Sequence, residues 1–405
     1  MDQYIRQGTA AFRRANFALF LAGFVTFANL YSTQPLFPVF VKEFSVSPVV
    51  ASLSLSLTTL SLAFGLLVFG SLSEAWGRKK LMAISLVVAS SLTLIVAIAP
   101  TFELLMLLRI LQGIVFAGVP SIAMAYLGEE IEGNSLGVAM GLYISGNTIG
   151  GLAGRIIIGT LSDLFSWESA IVFLGTISMI ASLAFVFLLP SSRHFVSRPL
   201  ALKSLFQSLL AHVKDPLLVP LFFIAFFMMG GFVTVYNYLG FRLIAPPYEL
   251  SLAIVSWLFL AYLVGTFSST WFGVLAKKFG YPPLLIAGTI LTLCGVLLTL
   301  LEPLLFIIVG LIVLTFGFFG AHSIASGSVS RYATHDIAQA SSLYLFAYYF
   351  GSSVGGSLGG IFWSHFGWSG VVAWVSFLLI ISIVLGRFVQ KMVKTKRACS
   401  NKFGA

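Results

Sequence analysis

Long apolar runs, each closed by a short polar or charged stretch, repeat along the whole chain. Twelve runs approach or exceed the length of about 20 residues that a membrane-crossing helix needs. They cover 17–40, 48–69, 81–99, 103–127, 136–161 and 169–189, then 217–239, 252–274, 284–300, 304–324, 340–362 and 370–388. Strands of a membrane barrel would alternate apolar and polar over about 10 residues. These runs are apolar all round, so they are helices, which satisfy their own backbone hydrogen bonds in lipid. The one long connection covers 190–216. In it Leu202, Leu205, Phe206, Leu209, Leu210 and Val213 fall on one helical stripe. That pattern predicts a short amphipathic helix lying on the inner membrane surface.

Composition agrees. The chain is 59% hydrophobic and 9% charged, against about 25% charged in soluble domains. The net charge of +10 is spread over loops rather than gathered in one domain, so it is not a nucleic-acid footprint; anionic lipid head groups account for it. Placing the loops by the positive-inside rule puts nineteen of the 23 Lys and Arg on inner segments, with Lys42 and Arg242 outside and Arg109 and Arg155 within spans. That split predicts a multi-pass protein of the cell membrane with both termini cytoplasmic. Cys294 and Cys399 suggest neither a disulfide framework nor a metal site, and no cleavable signal peptide is expected.

Chemistry is sparse. Arg109 and Arg155 lie inside spans, and Gln112 shares the face of Arg109 at i+3. A buried arginine is costly unless paired or wet, so each is a candidate substrate or coupling contact, or else a structural post bonded to backbone carbonyls. Arg155 is the nearer to an outer end and has the option of snorkelling. Asn29, Tyr31 and Gln34 in the first span, and Tyr236, Asn237 and Tyr238 in the seventh, are candidates to line a wetted cavity, or to hydrogen-bond between helices. Pro35 and Pro38 predict a bend. No Asp or Glu lies deep in a span; Glu103, Asp163 and Glu302 are near outer ends. His322 is therefore the candidate proton carrier, with a packed, inert histidine as the other reading. Gly351-Ser-Ser353-Val-Gly355 matches the nucleophile-elbow spacing by chance, since that chemistry needs a strand–turn–helix and a His/Asp pair. No zinc, P-loop or dinucleotide signature appears, and no cofactor or enzyme activity is expected.

The chain is internally duplicated. Gly70-Ser-Leu-Ser-Glu-Ala-Trp-Gly77, followed by Arg78, Lys79 and Lys80, shares its frame with Gly273-Val-Leu-Ala-Lys-Lys-Phe-Gly280. Gly23-Phe-Val-Thr-Phe-Ala-Asn29 reads like Gly231-Phe-Val-Thr-Val-Tyr-Asn237, and Gly146, Gly150 and Gly151 recur as Gly351, Gly355 and Gly356. Each pair is separated by about half of the 405 residues. The expected organisation is a six-helix bundle over 1–190, a linker over 191–215, and a second six-helix bundle with a basic tail over 216–405. Parallel repeats of six spans describe a transporter with a midplane site.

On these residues the chain resembles the major facilitator superfamily, and within it the 12-span drug:proton antiporters. Gly70, Leu72, Gly77, Arg78 and Lys79 match that family's hairpin signature, with Glu74 in place of its aspartate and Ala75 in place of its arginine. Arg109-x-x-Gln112-Gly113 resembles the span 4 motif, whose arginine is tied to proton coupling in many members. Gly146-Asn147-x-x-Gly150-Gly151 resembles the span 5 motif, with Asn147 at the family's proline. The resemblance implies alternating access by a monomer, a latch at Gly70, Glu74, Gly77, Arg78 and Lys79, and a helix-packing seam between the halves at the glycine ladders. It also implies proton-coupled efflux of a small organic compound. Proton-coupled uptake or exchange of a small organic anion is the alternative that two deep arginines favour, and a non-transporting membrane sensor is the third.

Overall fold

A computed structural model describes residues 4–197 and 202–403. Arg198 lies outside them, as do the side chains of Leu202, Lys203, Leu205, Lys396, Arg397 and Lys402. Among the described residues the protein is helical, apart from one parallel bridge between Ile5 and Ile131. Eleven helical runs among the described residues are long and apolar enough to cross a membrane. The last, Ile337–Thr395, is broken by Gly367 at φ 59° and ψ −146°. Beyond the break the chain doubles back: the Trp374 ring stacks on Phe362 at 4.9 Å and its Nε1 donates to the Gly355 carbonyl at 3.2 Å. The run is therefore two spans, which makes twelve.

We number the spans 1 (Ala10–Glu43), 2 (Pro48–Trp76), 3 (Arg78–Val96), 4 (Phe102–Glu130), 5 (Gly133–Leu164) and 6 (Trp167–Leu188). Spans 7 to 10 are Leu218–Ile244, Leu252–Phe279, Tyr281–Leu298 and Leu304–Tyr332. Spans 11 and 12 lie on either side of Gly367. Ser or Thr begins many of them. Thr9, Ser47, Thr101, Ser166 and Ser251 each accept the third backbone N–H of the following helix, which satisfies one otherwise orphaned donor.

Three spans are interrupted. Span 4 breaks between Phe116 and Pro120, and span 8 passes through a 3-10 turn at Leu258–Ala261. Span 1 is helical to Leu30, unwinds, forms a 3-10 turn at Gln34–Leu36 and resumes at Phe37–Glu43. Its cause is local. Pro35 and Pro38 lack an N–H, and each ring clashes with the carbonyl four residues earlier, at Tyr31 and Gln34.

The chain divides into two compact units, Met1–Leu202 with Leu243–Phe259, and Lys203–Arg242 with Leu260–Ala405. The sequence places 243–259 with the second bundle, whereas its contacts place it with the first unit. There Gly159 of span 5 has no Cβ and lets Ser256 lie against it. The first unit's core joins Phe12, Leu19 and Val25 of span 1 to Leu86, Tyr126 and Phe185 of spans 3, 4 and 6.

The duplication shows in the backbone. Gly77 and Gly280, equivalent in the repeated hairpin, both separate two spans with positive φ, 96° and 81°. An L side chain rarely adopts that conformation, so the same glycine is needed twice.

The linker helix, Leu202–His212, is bonded to the second unit: Ser208 Oγ donates to Asp336 Oδ2 at 2.6 Å and the His212 ring stacks on His335 at 4.5 Å. Leu209 and His212 are buried. Phe206, Leu210 and Val213 are exposed, so the predicted apolar stripe divides between a protein-facing and an outward-facing side.

Candidate functional site

The unwound part of span 1 is where the first unit's polar chemistry collects. Asn29 and Leu30 are the last residues of its first helical segment, and the end carbonyls of a helix lack intrahelical partners. Arg109 supplies them. Its Nη1 donates to Asn29 O at 3.0 Å and its Nη2 to Leu30 O at 2.6 Å. Nε donates to Ser54 O of span 2 at 3.0 Å, and Nη1 also reaches Gln112 Oε1 at 2.9 Å. The guanidinium faces the negative end of a helix dipole, so carbonyls rather than a carboxylate balance it.

The network continues through side chains. Gln112 Nε2 donates to Thr93 Oγ1 at 2.9 Å, and Thr93 donates to Asn29 Oδ1 at 2.8 Å. Asn29 Nδ2 in turn donates to Ser178 Oγ and Val25 O, both at 2.7 Å. Spans 1, 2, 3, 4 and 6 are thus joined by one buried chain of hydrogen bonds.

Arg155 holds the other side of the break. Its Nε donates to Gln34 Oε1 at 2.7 Å and its Nη1 to Gly151 O at 2.5 Å. The guanidinium lies over the rings of Tyr31 at 4.0 Å and Phe259 at 4.8 Å, cation–π distances. Snorkelling is not what it does: Arg155 is 1% exposed.

In the second unit Tyr236 Oη and Thr315 Oγ1 are 2.7 Å apart, and the Tyr236 ring packs on Phe232 and Tyr262. Tyr238 Oη donates to Gly356 O at 2.9 Å. Asn237 is buried. His322 Nδ1 lies 2.9 Å from Tyr344 Oη, with its ring stacked on Phe318 and packed against Tyr348.

Asn29, Tyr31, Gln34, Tyr236, Asn237 and Tyr238, the candidates to line a wetted cavity, are all buried, as are Arg109, Gln112 and Arg155. A polar side chain in an apolar bundle gains more from a partner on the next helix than from a distant water. His322 is the exception, being half-buried.

The glycine ladders allow close helix packing within each unit. A Cβ on Gly146, Gly150 or Gly154 would overlap the backbone of Phe20, Phe24 or Ala28 in span 1, inside the first unit. A Cβ on Gly351 or Gly355 would overlap Phe226 or Gly230 of span 7, inside the second. Gly151 instead faces Arg155 and Tyr31. Ser353 lies buried in this same span 11 helix, with no strand or turn to expose it as a nucleophile elbow requires.

At the hairpin Arg78 is buried and bonds Glu129 at 2.7 Å, Gly70 O at 3.4 Å and Ser73 Oγ. Lys79 Nζ donates to Leu189 O at 2.5 Å. Glu74 is 44% exposed and approaches Arg78 only to 3.8 Å. Glu129 and Glu130, which end span 4, and Glu132 just beyond it each serve a different partner. Glu129 takes Arg78, Glu132 takes Arg6 at 3.4 Å, and Glu130, 1% exposed, accepts the backbone N–H groups of Arg193 and His194 at 2.7 and 2.9 Å.

Comparison with known proteins gives the architecture a family. A model described as Major Facilitator Superfamily matches residues 19–355 and 243–403. YybF of Bacillus subtilis (strain 168), an uncharacterized MFS-type transporter, is 51% identical over 391 residues, 96% of this chain and 97% of its own. YnfM of Escherichia coli (strain K12), an inner membrane transport protein, is 44% identical over 385 residues, 95% and 92% of the two chains. Among solved structures, the inward-facing, unoccupied bacterial homologue of the human lysosomal transporter Spinster superimposes with a TM-score of 0.76. It has 15% identity over 95% of this chain and 99% of its own, a likeness of fold. Twelve spans, a duplicated hairpin and near-full-length similarity to proteins named as transporters lead to one conclusion: the chain belongs to the major facilitator superfamily and is a membrane transporter rather than an enzyme.

Proposed function

We propose that the protein is a secondary transporter that exports a small organic compound against proton entry, by alternating access. The observation that carries this reading is the pairing of His322 with Tyr344 in a segment of the chain without membrane-embedded carboxylates. A tyrosine hydroxyl at 2.9 Å gives the imidazole nitrogen a proton partner. Export follows the resemblance of the span 5 glycine motif to drug:proton antiporters. The anion-uptake reading loses support at Arg109, four of whose five donors are spent on carbonyls and Gln112.

In this reading the protein works as a monomer in the cell membrane with both termini cytoplasmic, without a cofactor. Glu74 exchanges its weak contact with Arg78 for another partner during the cycle, acting as a latch on the inner side. The exposed Phe206 and Leu210 of the linker helix, with Val213 just beyond its end, rest in the inner leaflet.

The test is flux in inverted vesicles. A panel of cationic, neutral and anionic organic compounds is offered under an imposed pH gradient. Acid-inside-driven accumulation of a non-anionic compound, with its proton dependence abolished by His322→Gln, is expected. Uptake that requires an organic anion, or unchanged coupling in His322→Gln, overturns it.

A further inference from the structure

We propose that an anionic glycerophospholipid binds in the cleft between the start of span 3 and the end of span 6, its phosphate on Lys79 and Lys80. The cleft has a volume of about 480 Å³, and its lining includes Arg78, Lys79, Lys80, Ser191 and Ser192 together with the apolar Ala83, Ile84 and Val186. No acid lines it.

The charges do not cancel locally. Arg78 is matched by Glu129. Lys79 has only the Leu189 carbonyl, which is neutral, and Lys80 has no hydrogen bond or ion pair among the described residues. Arg14 adds a further cation nearby, donating to Phe187 O at 3.2 Å. The Ser192 hydroxyl is enclosed with no partner among the described residues, so a donor waits beside the two lysines. A phosphate diester would accept from all three.

The walls select a lipid over a soluble anion. From the cleft, Ile84 and Val88 of span 3 and Leu183 and Phe187 of span 6 form an outward-facing apolar strip. Acyl chains lying on that strip remove apolar surface from water or from poorer packing. A free phosphate or sugar phosphate gains nothing there. The cations stand at the end of the apolar belt, the depth at which a head group sits.

The experiment uses the full chain purified in detergent, stripped of lipid and offered phosphatidylglycerol or phosphatidylcholine with the same acyl chains. Retained lipid is counted by native mass spectrometry. Inorganic phosphate and glycerol 3-phosphate are offered separately, with the thermal transition as readout. Preferential retention of one phosphatidylglycerol is expected, reduced about fivefold in Lys80→Gln, the effect of one cation near an anionic head group. Lys394→Gln, an equal loss of charge in the tail, is expected to retain it fully. Equal retention of both lipids by the wild type overturns the proposal without any variant. An equal loss in Lys80→Gln and Lys394→Gln also overturns it, as does stabilisation by inorganic phosphate alone, which would mark a soluble-anion site.

Discussion

Arg109 and Leu30 are tied by a hydrogen bond of 2.6 Å, from a guanidinium nitrogen to the carbonyl that ends the first helical segment of span 1. The same side chain bonds Asn29 O and Ser54 O. Arg109→Met would strand the buried Leu30 carbonyl, at a cost of about 1–3 kcal/mol, whereas Asn29 O and Ser54 O keep the Ser32 and Thr58 hydroxyls as donors. We expect a loss of about 1–3 kcal/mol and a lower thermal transition in detergent. Arg109→Lys, which keeps the charge but not the planar fork, should fall between. A wild-type transition in Arg109→Met, with flux lost, would instead make this residue a substrate contact.

Gly150 and Gly151 are neighbours with opposite tolerances. A Cβ on Gly150 would stand 2.8 Å from the Phe24 carbonyl carbon, whereas one on Gly151 meets nothing nearer than Arg155 Nη1 at 3.4 Å. Gly150→Ala should therefore force spans 1 and 5 apart, costing about 1–3 kcal/mol, while Gly151→Ala should be nearly neutral. Monodisperse yield and thermal transition distinguish the two.

Glu130 fixes the start of the linker through two backbone N–H groups. Charge-assisted bonds of this kind contribute about 1.5–3 kcal/mol each. Glu130→Ala should raise the local opening of residues 190–197 at least tenfold, read as faster tryptic cleavage after Arg193. Cleavage no faster than in the wild type would mean that the segment is held elsewhere, for example by Tyr126 Oη on Pro190 O.

Gly77 has φ 96° and open space where a Cβ would go. Gly77→Ala should cost about 1–2 kcal/mol from backbone strain alone, and Gly280→Ala a similar amount, since it repeats the conformation at 81°. Additive losses in the double variant would follow if the two hairpins are independent.

The spans, the repeat and the bend at Pro35 and Pro38 were legible because each is written in neighbouring residues: run length, local frame, a missing N–H. The partners of the polar residues were not. Arg109 and Gln112 stand out in an apolar helix, but nothing near them names Leu30, Ser54 or Thr93. Thr93 and Ser178, which complete the network, read in sequence as small filler among many hydroxyls. Their signal was weak: a buried Ser or Thr usually bonds its own helix, as Ser54 and Thr58 do. The same limit holds at Asn29, since span-to-span bonding and water exposure leave an identical mark on a sequence. Gly146 and Gly150 pointed correctly to close packing, but not to span 1 as the partner.

Gly367 lets spans 11 and 12 reverse direction within a single residue. No slack remains for one helix to thread the bilayer while the other waits. During synthesis the two must enter together as a prefolded hairpin, so a lesion in either would be expected to keep both out and to expose the C-terminal end to quality-control proteases.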